Sequence, residues 1–305
     1  MTKLLYIATA GRSGSTLLER TLGSGPGWCA VGEMSWVFQR GVVDNLRCGC
    51  GERFHDCEFW PAAYEHAYGA MDPVVANALG LQWREHRVAS HLPMLVGAKT
   101  RQAARRGALP ATDAVVRLYE AAAKESGAAV VVDSSKIPLR PAFLEGRTDV
   151  DLFVLHLVRD PRGVAFSWGR TKEGEEGTSL HASSVFKPAA WWVVTNETIR
   201  LSCSGLGPRL RTLRYEEFAS EPARVLSDLA DWVGEPLDVD RLVTRDGLSV
   251  GRTHAFSGNP DRFRTGTIPL QVDDRWKSEM SARDRGTVTA MTLPWLGRYG
   301  YPAGG

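Results

Sequence analysis

Residues 4–18 have the sequence LLYIATAGRSGSTLL. The apolar run at residues 4–8 is typical of a buried strand, and helix-forming residues follow the turn at residues 11–16. A strand, a glycine-rich turn and a helix in this order are typical of a phosphate-binding α/β unit. The turn offers backbone N–H groups and hydroxyls, and Arg12 adds a cation with fixed geometry. The stretch therefore predicts an anion site at the start of the first helix.

The same turn disfavours two common nucleotide-binding motifs. A Walker A loop has the pattern G-x-x-x-x-G-K-[ST], whereas residues 11–16 have a shorter spacing and lack the lysine. The dinucleotide pattern G-x-G-x-x-G is also missing from the turn. Hydrolysis of a nucleoside triphosphate by the usual P-loop is therefore disfavoured. A strand-to-helix turn with incidental polar residues is the alternative to an anion site.

The composition is that of an ordinary globular protein. The chain has 305 residues, of which 43% are hydrophobic and 24% charged, and this excludes a disordered or collagen-like chain. The net charge of +2 gives no reason to expect a nucleic-acid partner. No apolar run approaches the ~18 residues of a membrane span. Five cysteines cannot all pair within one chain, so a reducing cytoplasm is the expected location.

Apolar runs alternate with helical patterns along the chain. Residues 128–132, 151–158 and 209–215 are strand-like, and helical patterns separate them. The alternation predicts an α/β fold with a central, mainly parallel sheet flanked by helices. Residues 273–298 are predicted to be helical with a break at Pro294, and an interruption is predicted at Leu109-Pro110.

No linker divides the chain, so residues 1–305 are predicted to form a single domain. Residues 25–60 are rich in Gly, Trp and Cys and are predicted to be an irregular excursion. Residues 171–182 and 245–275 are predicted to be mobile loops, because they are polar and rich in glycine or in arginine, glycine and proline.

A second anion-binding element follows the strand at residues 151–158. Arg159 stands at the carboxyl end of this strand, and Pro161 favours the start of a helix. Ser167 lies eight residues after Arg159, about two turns along that helix. Ligands of open α/β sheets bind at the carboxyl ends of the strands, so the two loops predict one ligand with two phosphate-like groups. The alternative for Arg159 is a surface ion pair with Asp160 or a nearby glutamate.

This ordered set of motifs resembles the sulfotransferases that use 3′-phosphoadenosine 5′-phosphosulfate (PAPS). The likeness is to bacterial small-molecule sulfotransferases and, in layout, to tyrosylprotein sulfotransferases, and it spans residues 4–301. It implies a P-loop-like sulfotransferase fold, with the 5′-phosphosulfate at residues 11–18. It also implies that Arg159 and Ser167 hold the 3′-phosphate, and that Tyr215 lies beside the nucleotide.

The family's late basic loop resembles residues 262–266, which implies that Arg262 or Arg264 contacts the 3′-phosphate. The cofactor-binding residues implied by the resemblance are Gly11, Arg12, Ser13, Gly14, Ser15, Thr16, Arg159, Ser167, Tyr215, Arg262 and Arg264.

Three residues are the candidates for catalysis. Arg12 and Lys136 are expected to stabilise charge on the bridging oxygen, and Lys136 follows the strand at residues 128–132. Glu33, in Val31-Gly32-Glu33, resembles the Gly-Glu base of tyrosylprotein and related bacterial sulfotransferases. The alternative for Glu33 is a charge at a helix N-terminus, and for Lys136 a surface lysine.

Other titratable residues are weaker candidates. His91-Leu92-Pro93 has the letters of the cytosolic sulfotransferases' histidine segment, but it lies 68 residues before Arg159, which puts that role in doubt. Asp133 is a competing carboxylate that is expected to cap or to orient Lys136. His156 interrupts an apolar strand and is expected to be a core histidine with a hydrogen-bond partner.

Cys48, Cys50 and Cys57 form a cluster together with His55. Three states are open: free buried thiols, a disulfide from Cys48 or Cys50 to Cys57, or a metal site. The C-x-C spacing is unusual for structural zinc, so no metal is assigned.

The sequence therefore predicts transfer of a sulfuryl group from PAPS to a hydroxyl, rather than an amine, of a small-molecule acceptor, with no metal required. A P-loop-type kinase or NTPase and a non-catalytic nucleotide-binding module are the alternatives. The acceptor and homo-oligomer formation are left open.

Overall fold

The computed structural model describes residues 1–85, 98–170 and 184–304. Its centre is a five-stranded sheet in which every neighbouring pair of strands is parallel, in the order β2-β3-β1-β4-β5. The strands are β1 Thr2–Thr9, β2 Trp28–Gly32, β3 Val130–Asp133, β4 Val150–Val158 and β5 Leu210–Arg214. The α/β fold with a parallel sheet that the alternating pattern predicts is confirmed.

Helices cover both faces of this sheet. Leu4 and Tyr6 of β1 belong to one buried cluster with residues of α2 (Trp60–Tyr68), α4 (Ala98–Ser126) and α7 (Phe186–Ser202). Leu5 and Ile7 belong to a second cluster, with residues of α1 (Ser15–Leu22) and α9 (Pro222–Val233), on the other face. The two faces follow from the alternation of side chains along a strand. The described helices are α1 Ser15–Leu22, α2 Trp60–Tyr68, α3 Pro73–Glu85, α4 Ala98–Ser126, α5 Arg140–Leu144, α6 Pro161–Gly169, α7 Phe186–Ser202, α8 Tyr215–Ser220, α9 Pro222–Val233, α10 Val239–Leu242, α11 Trp276–Glu279 and α12 Ala282–Leu296.

The chain order of the strands creates a crevice beside β1. After β1 the chain turns to one side to form β2 and β3, and it then crosses to the other side of β1 to form β4 and β5. The loops that leave β1 and β4 therefore diverge at the carboxyl edge of the sheet. This is where open α/β sheets bind their ligands.

Four sequence predictions of local structure are wrong. The excursion at residues 25–60 contains the edge strand β2, which pairs in parallel with β3. Residues 245–275 contain β7 Gly247–Val250 and β8 Gly266–Ile268, which form an antiparallel sheet with β6 Val243–Thr244.

The other two errors concern proline. Helix α4 runs through Pro110 without the predicted interruption. The break in the last helical segment falls before α12, where the Ser281 side chain accepts from Asp284 N at 3.1 Å, and Pro294 lies inside α12. A capping serine marks this boundary more strongly than the proline does.

Within the described residues, no helix is both long enough and apolar enough to cross a membrane.

Candidate active site

The turn after β1 has the geometry of an anion-binding loop. Gly14 precedes α1 with φ of 83°, and its carbonyl accepts from Leu17 N and Leu18 N at 3.1 Å. The first N–H groups of a helix have no partner within that helix and attract anions. A Cβ at Gly14 would lie 2.6 Å from the Tyr215 ring, so only glycine fits there. The Ser13 hydroxyl donates to Ala10 O at 2.7 Å and closes the turn.

Every strand of the central sheet contributes a residue to one cavity at the carboxyl edge. The residues are Arg12 after β1, Glu33 after β2, Lys136 after β3, Arg159 after β4 and Tyr215 after β5. The cavity has a volume of about 680 Å³. Parallel strands bring their carboxyl ends to one edge, which is why residues so distant in sequence meet here.

The cavity contains almost the whole set of site residues that the sequence predicts. Ser13 and Arg262 do not line it. Those that do are Gly11, Arg12, Gly14, Ser15, Thr16, Glu33, Lys136, Arg159, Ser167, Tyr215 and Arg264. Four further residues line the cavity although the sequence did not indicate them: Arg20, Arg40, Trp168 and Asp273.

The lining of the cavity is strongly cationic although the whole chain is nearly neutral. The described lining residues include three carboxylates, Glu33, Asp261 and Asp273. They also include eight cations, which are Arg12, Arg20, Arg40, Lys136, Arg159, Arg170, Arg264 and Arg275. A concave wall of one sign concentrates the opposite charge, so this cavity favours a ligand with several negative charges.

Arg12 has a buried donor that lacks an acceptor among the described residues. Its Nη2 is buried without a hydrogen-bond partner within the described part of the chain. Burial lowers the pKa of the Arg12 guanidinium, and Asp261 opposes this shift. Its guanidinium lies 5.5 Å from the centre of the Trp168 ring. An unpaired buried cation is costly, and an anion in the cavity would satisfy it.

Arg159 is held in place by contacts on several sides. Its Nη1 donates to Arg12 O at 3.1 Å, and its Nη2 donates to the backbone and carboxylate oxygens of Asp273, both at 3.1 Å. The guanidinium lies 4.7 Å from the centre of the Tyr215 ring. The ion pair considered from the sequence, with Asp160, does not form, because Asp160 pairs with Arg162 at 2.7 Å.

Asp273 is therefore an acidic neighbour of Arg159 that the sequence did not reveal. A hydrogen bond from Arg275, followed by the charge and hydrogen bond of Arg159, lowers the pKa of Asp273 to about 2. The carboxylate is ionised at neutral pH and occupies one edge of the Arg159 guanidinium.

Glu33 and Lys136 form an ion pair inside the cavity, through Glu33 Oε1 and Lys136 Nζ. Glu33 N donates to Phe256 O at 2.7 Å, which fixes the backbone of Glu33. Lys136 adopts φ of 58°, a left-handed conformation that is strained for a residue with a side chain. Gly258 beside the carboxylate has φ of 92°, which favours glycine, and a Cβ there would lie 2.7 Å from Glu33 Oε1.

A buried glutamate in α1 links the segments that carry this pair. Glu19 Oε1 accepts from Gly32 N at 2.5 Å, and its Oε2 accepts from the Ser134 hydroxyl at 2.6 Å. Gly32 directly precedes Glu33, and Ser134 lies two residues before Lys136. Burial raises the pKa of Glu19 to about 8.

The weaker candidates lie in other environments. Asp133 is buried and accepts from Tyr119 Oη at 2.5 Å and from Ser135 N at 2.6 Å, so it caps the strand end rather than facing the cavity. His156 Nε2 lies 2.9 Å from Asn196 Oδ1, and burial lowers the pKa of His156 to about 4, as a core histidine requires. His91 and residues 171–182 lie outside the described residues.

The two arginines of the late basic loop have different surroundings. Arg262 is fully buried, and its Nη1 donates to Gly258 O at 3.2 Å while its Nη2 donates to Arg47 O at 3.4 Å. Its guanidinium also packs 4.2 Å from the Phe263 ring centre. Arg264 lines the cavity. Of the two alternatives left open by the sequence, the geometry favours Arg264 for a ligand contact.

The fold and the cavity together define an α/β protein with a cationic crevice at the carboxyl edge of a parallel sheet. No protein-family model matches the chain, and no curated protein matches it.

Solved structures identify the fold. The sulfotransferase domain from the curacin biosynthetic pathway is 18% identical, with a TM-score of 0.53 over 99% of this chain and 99% of that domain. The sulfotransferase domain of the Synechococcus PCC 7002 olefin synthase is also 18% identical, with a TM-score of 0.57 over 99% of this chain and 95% of that domain. The chain therefore has the sulfotransferase fold.

Proposed function

We propose that this protein is a sulfotransferase, formed as one domain over residues 1–305, that moves a sulfuryl group from PAPS to a hydroxyl of a small-molecule acceptor. The observation that carries this proposal is the pairing of two features in one cavity. The first is a cationic wall in which Arg12 Nη2 has no partner among the residues that the structure describes. The second is a carboxylate, Glu33, that is held by Lys136. The first feature suits a nucleotide with several anionic groups, and the second suits removal of a proton.

The residues present fit the two anionic ends of PAPS, which would supply the sulfuryl group. The N–H groups at the start of α1 and the Arg12 guanidinium are the proposed partners of the 5′-phosphosulfate. Arg159, Ser167 and Arg264 are the proposed partners of the 3′-phosphate, with Tyr215 beside the nucleotide. Each charge-assisted hydrogen bond of this kind contributes about 1.5–3 kcal/mol.

Glu33 is the proposed general base for the acceptor hydroxyl. Lys136 Nζ holds Oε1, while Oε2 has no protein donor among the described residues. A base in this position contributes about 10²–10⁴-fold to the rate. Lys136 and Arg12 are the proposed donors to the leaving oxygen, and loss of one such donor costs about 2.7–4 kcal/mol in the barrier. These fixed cations would stabilise the charge on the leaving oxygen, as a metal ion does in phosphoryl transfer.

The test is sulfuryl transfer from PAPS to a panel of phenols and alcohols, with sulfated products detected by mass spectrometry. We expect product from at least one acceptor, and we expect Glu33→Gln to lower turnover by about 10²–10⁴-fold without weakening adenosine 3′,5′-bisphosphate binding. The matched control is Glu235→Gln, which changes a second Lys–Glu pair, with Lys3 at 3.4 Å, outside the cavity.

Three outcomes would overturn parts of this proposal. Binding of ATP with Mg²⁺ but not of adenosine 3′,5′-bisphosphate would replace it with a kinase or NTPase function. Bisphosphate binding without transfer to any acceptor would favour a non-catalytic module. Transfer that survives Glu33→Gln unchanged would remove Glu33 as the base and leave the donor assignment intact.

A further inference from the structure

Four side chains outside the cavity converge on one point. They are Cys48, Cys50, Cys57 and His254, and their three Sγ atoms and the histidine ring nitrogen all lie within 4.8 Å of one another. The prediction from the sequence that His55 joins the three cysteines is wrong. The His55 ring lies at 2.9 Å from Val42 O, whereas His254 arrives from a distant segment of the chain.

The distances within this group match a tetrahedral metal site. A zinc ion with Zn–S bonds of about 2.3 Å and Zn–N bonds of about 2.0 Å holds two sulfurs about 3.8 Å apart and a sulfur and a nitrogen about 3.5 Å apart. Cys50 Sγ and Cys57 Sγ are 3.7 Å apart. His254 Nδ1 lies 3.8 Å from Cys48 Sγ and 3.3 Å from Cys57 Sγ. The other three pairs of ligand atoms lie no more than 4.8 Å apart, so the four atoms surround one point.

The backbone explains how the unusual C-x-C spacing closes around one point. Gly49 N donates to Ala255 O at 3.0 Å, and a Cβ at Gly49 would lie 2.8 Å from that oxygen. Gly51 N donates to Cys48 O at 2.9 Å, and Gly51 has φ of 100°. Gly49 lets the turn at residues 48–51, the cysteine turn, approach the segment that carries His254. Gly51 lets the chain reverse its direction within these four residues.

The surroundings of His254 fix the ring with Nδ1 towards the sulfurs. The ring stacks on Phe59 at 4.9 Å between centres and 15° between planes, and Trp60 Nε1 donates to His254 O at 2.9 Å. The other ring nitrogen, Nε2, lies 3.7 Å from Glu58 Oε1. A histidine that offers one nitrogen to a metal and turns the other towards a carboxylate is a common arrangement.

We propose that Cys48, Cys50, Cys57 and His254 bind one Zn²⁺ as a structural site with four protein ligands. Binding converts the three thiols to thiolates and releases their protons. Three thiolates and one Zn²⁺ leave a net charge of −1, and the positive charge of Arg252, which interacts with Cys50, offsets it. With four protein ligands the ion has no open position for a substrate, so its role is to hold the fold.

The segment held by this site is connected to the cavity. Phe256, two residues after His254, donates from its N to Val31 O at 3.0 Å and accepts from Glu33 N at 2.7 Å. The zinc ion therefore joins the cysteine turn to the backbone that fixes Glu33. The inference stands on the four ligands alone, so its test is separate from that of the sulfotransferase proposal.

The experiment measures zinc in the full-length protein purified under reducing conditions, by inductively coupled plasma mass spectrometry. We expect about one Zn²⁺ per chain, and much less in Cys57→Ser and His254→Ala. The matched controls are Cys29→Ser, a cysteine outside the cluster, and His55→Ala, a neighbouring histidine outside the ligand set; both should keep their zinc.

A measurement on the unaltered chain covers the case in which the ligand variants do not fold. Exchange of the ion for Co²⁺ should give the intense visible bands of a tetrahedral site and an ultraviolet thiolate-to-cobalt band, both lost on adding Zn²⁺. Thiol titration of a second preparation, purified and unfolded in chelator without reductant at any step, should give all five cysteines as free thiols. Protein without zinc and without cobalt bands would overturn the proposal, and so would two missing thiols, which would indicate a disulfide.

Discussion

Arg159→Ala should remove most of the preference for a 3′-phosphate. The guanidinium has five N–H groups, and its three hydrogen bonds to Arg12 and Asp273 leave two of them for a ligand. Two charge-assisted bonds contribute about 3–6 kcal/mol in total. The lower figure is the better expectation, because the Asp273 carboxylate also repels a phosphate. The dissociation constant of adenosine 3′,5′-bisphosphate should therefore rise about 100-fold.

The assay is isothermal titration of the unaltered protein and of Arg159→Ala with adenosine 3′,5′-bisphosphate and with AMP, which lacks the 3′-phosphate. The dissociation constant of AMP should differ by no more than a few-fold between the two proteins. Turnover at saturating PAPS should change little. Arg224→Ala, at an exposed arginine on α9, is the control for loss of a positive charge.

Two results would refute this reasoning. Equal weakening of both ligands would mean that Arg159 holds a group they share rather than the 3′-phosphate. A bisphosphate dissociation constant that changes less than about fivefold, a loss of about 1 kcal/mol, would mean that the two free N–H groups do not contact the ligand.

Three further predictions follow from the contacts around the cavity. Asp273→Asn should tighten bisphosphate binding several-fold in the same titration, because the carboxylate competes for Arg159; weaker binding would instead make Asp273 a support for that side chain. Burial raises the pKa of Glu19 to about 8, so the folded state favours the protonated side chain. The resulting contribution to the free energy of unfolding is complete below pH ~4.3. It falls by up to about 1.4 kcal/mol per pH unit as the pH rises towards 8. Urea unfolding of Glu19→Gln should show a flatter pH dependence than the unaltered protein, and parallel curves would contradict this. Gly14→Ala should abolish bisphosphate binding and lower the melting temperature, because its Cβ would clash with Tyr215; binding that survives would show that the ring moves aside.

The central sheet could be predicted because the sequence patterns that indicate most of its strands are local. The strands β1, β3 and β4 contain continuous apolar runs, and buried parallel strands have that pattern. The edge strand β5, with the sequence LRTLR, is more polar. Strand β2 has only five residues, begins directly after Gly27 and ends with Gly32. It lies in a stretch rich in tryptophan and cysteine, so its pattern is too short to recognise. The strands of the small sheet have two to four residues each, and their pairing depends on tertiary contacts.

The site residues could be predicted where they directly follow a strand or belong to a short motif. Arg12 and Arg159 meet this condition, and both line the cavity. Asp273 and His254 do not meet this condition, because Asp273 contacts Arg159 and His254 contacts Cys57. Each of these contacts joins residues more than a hundred positions apart in the sequence. Arg262 and Arg264 belong to one short basic stretch, and only the packing around them separates the buried arginine from the one that lines the cavity.

The left-handed backbone at Arg12 and Lys136 has a consequence for selection. With φ of 70° and 58°, each residue carries a conformational penalty of about 1–2 kcal/mol that a glycine would avoid. Selection for thermal stability alone would therefore favour glycine at both positions and remove the two cations that we propose stabilise the leaving oxygen. Stabilised variants of this chain obtained without selection for activity are expected to lose these side chains first, and to be inert although well folded.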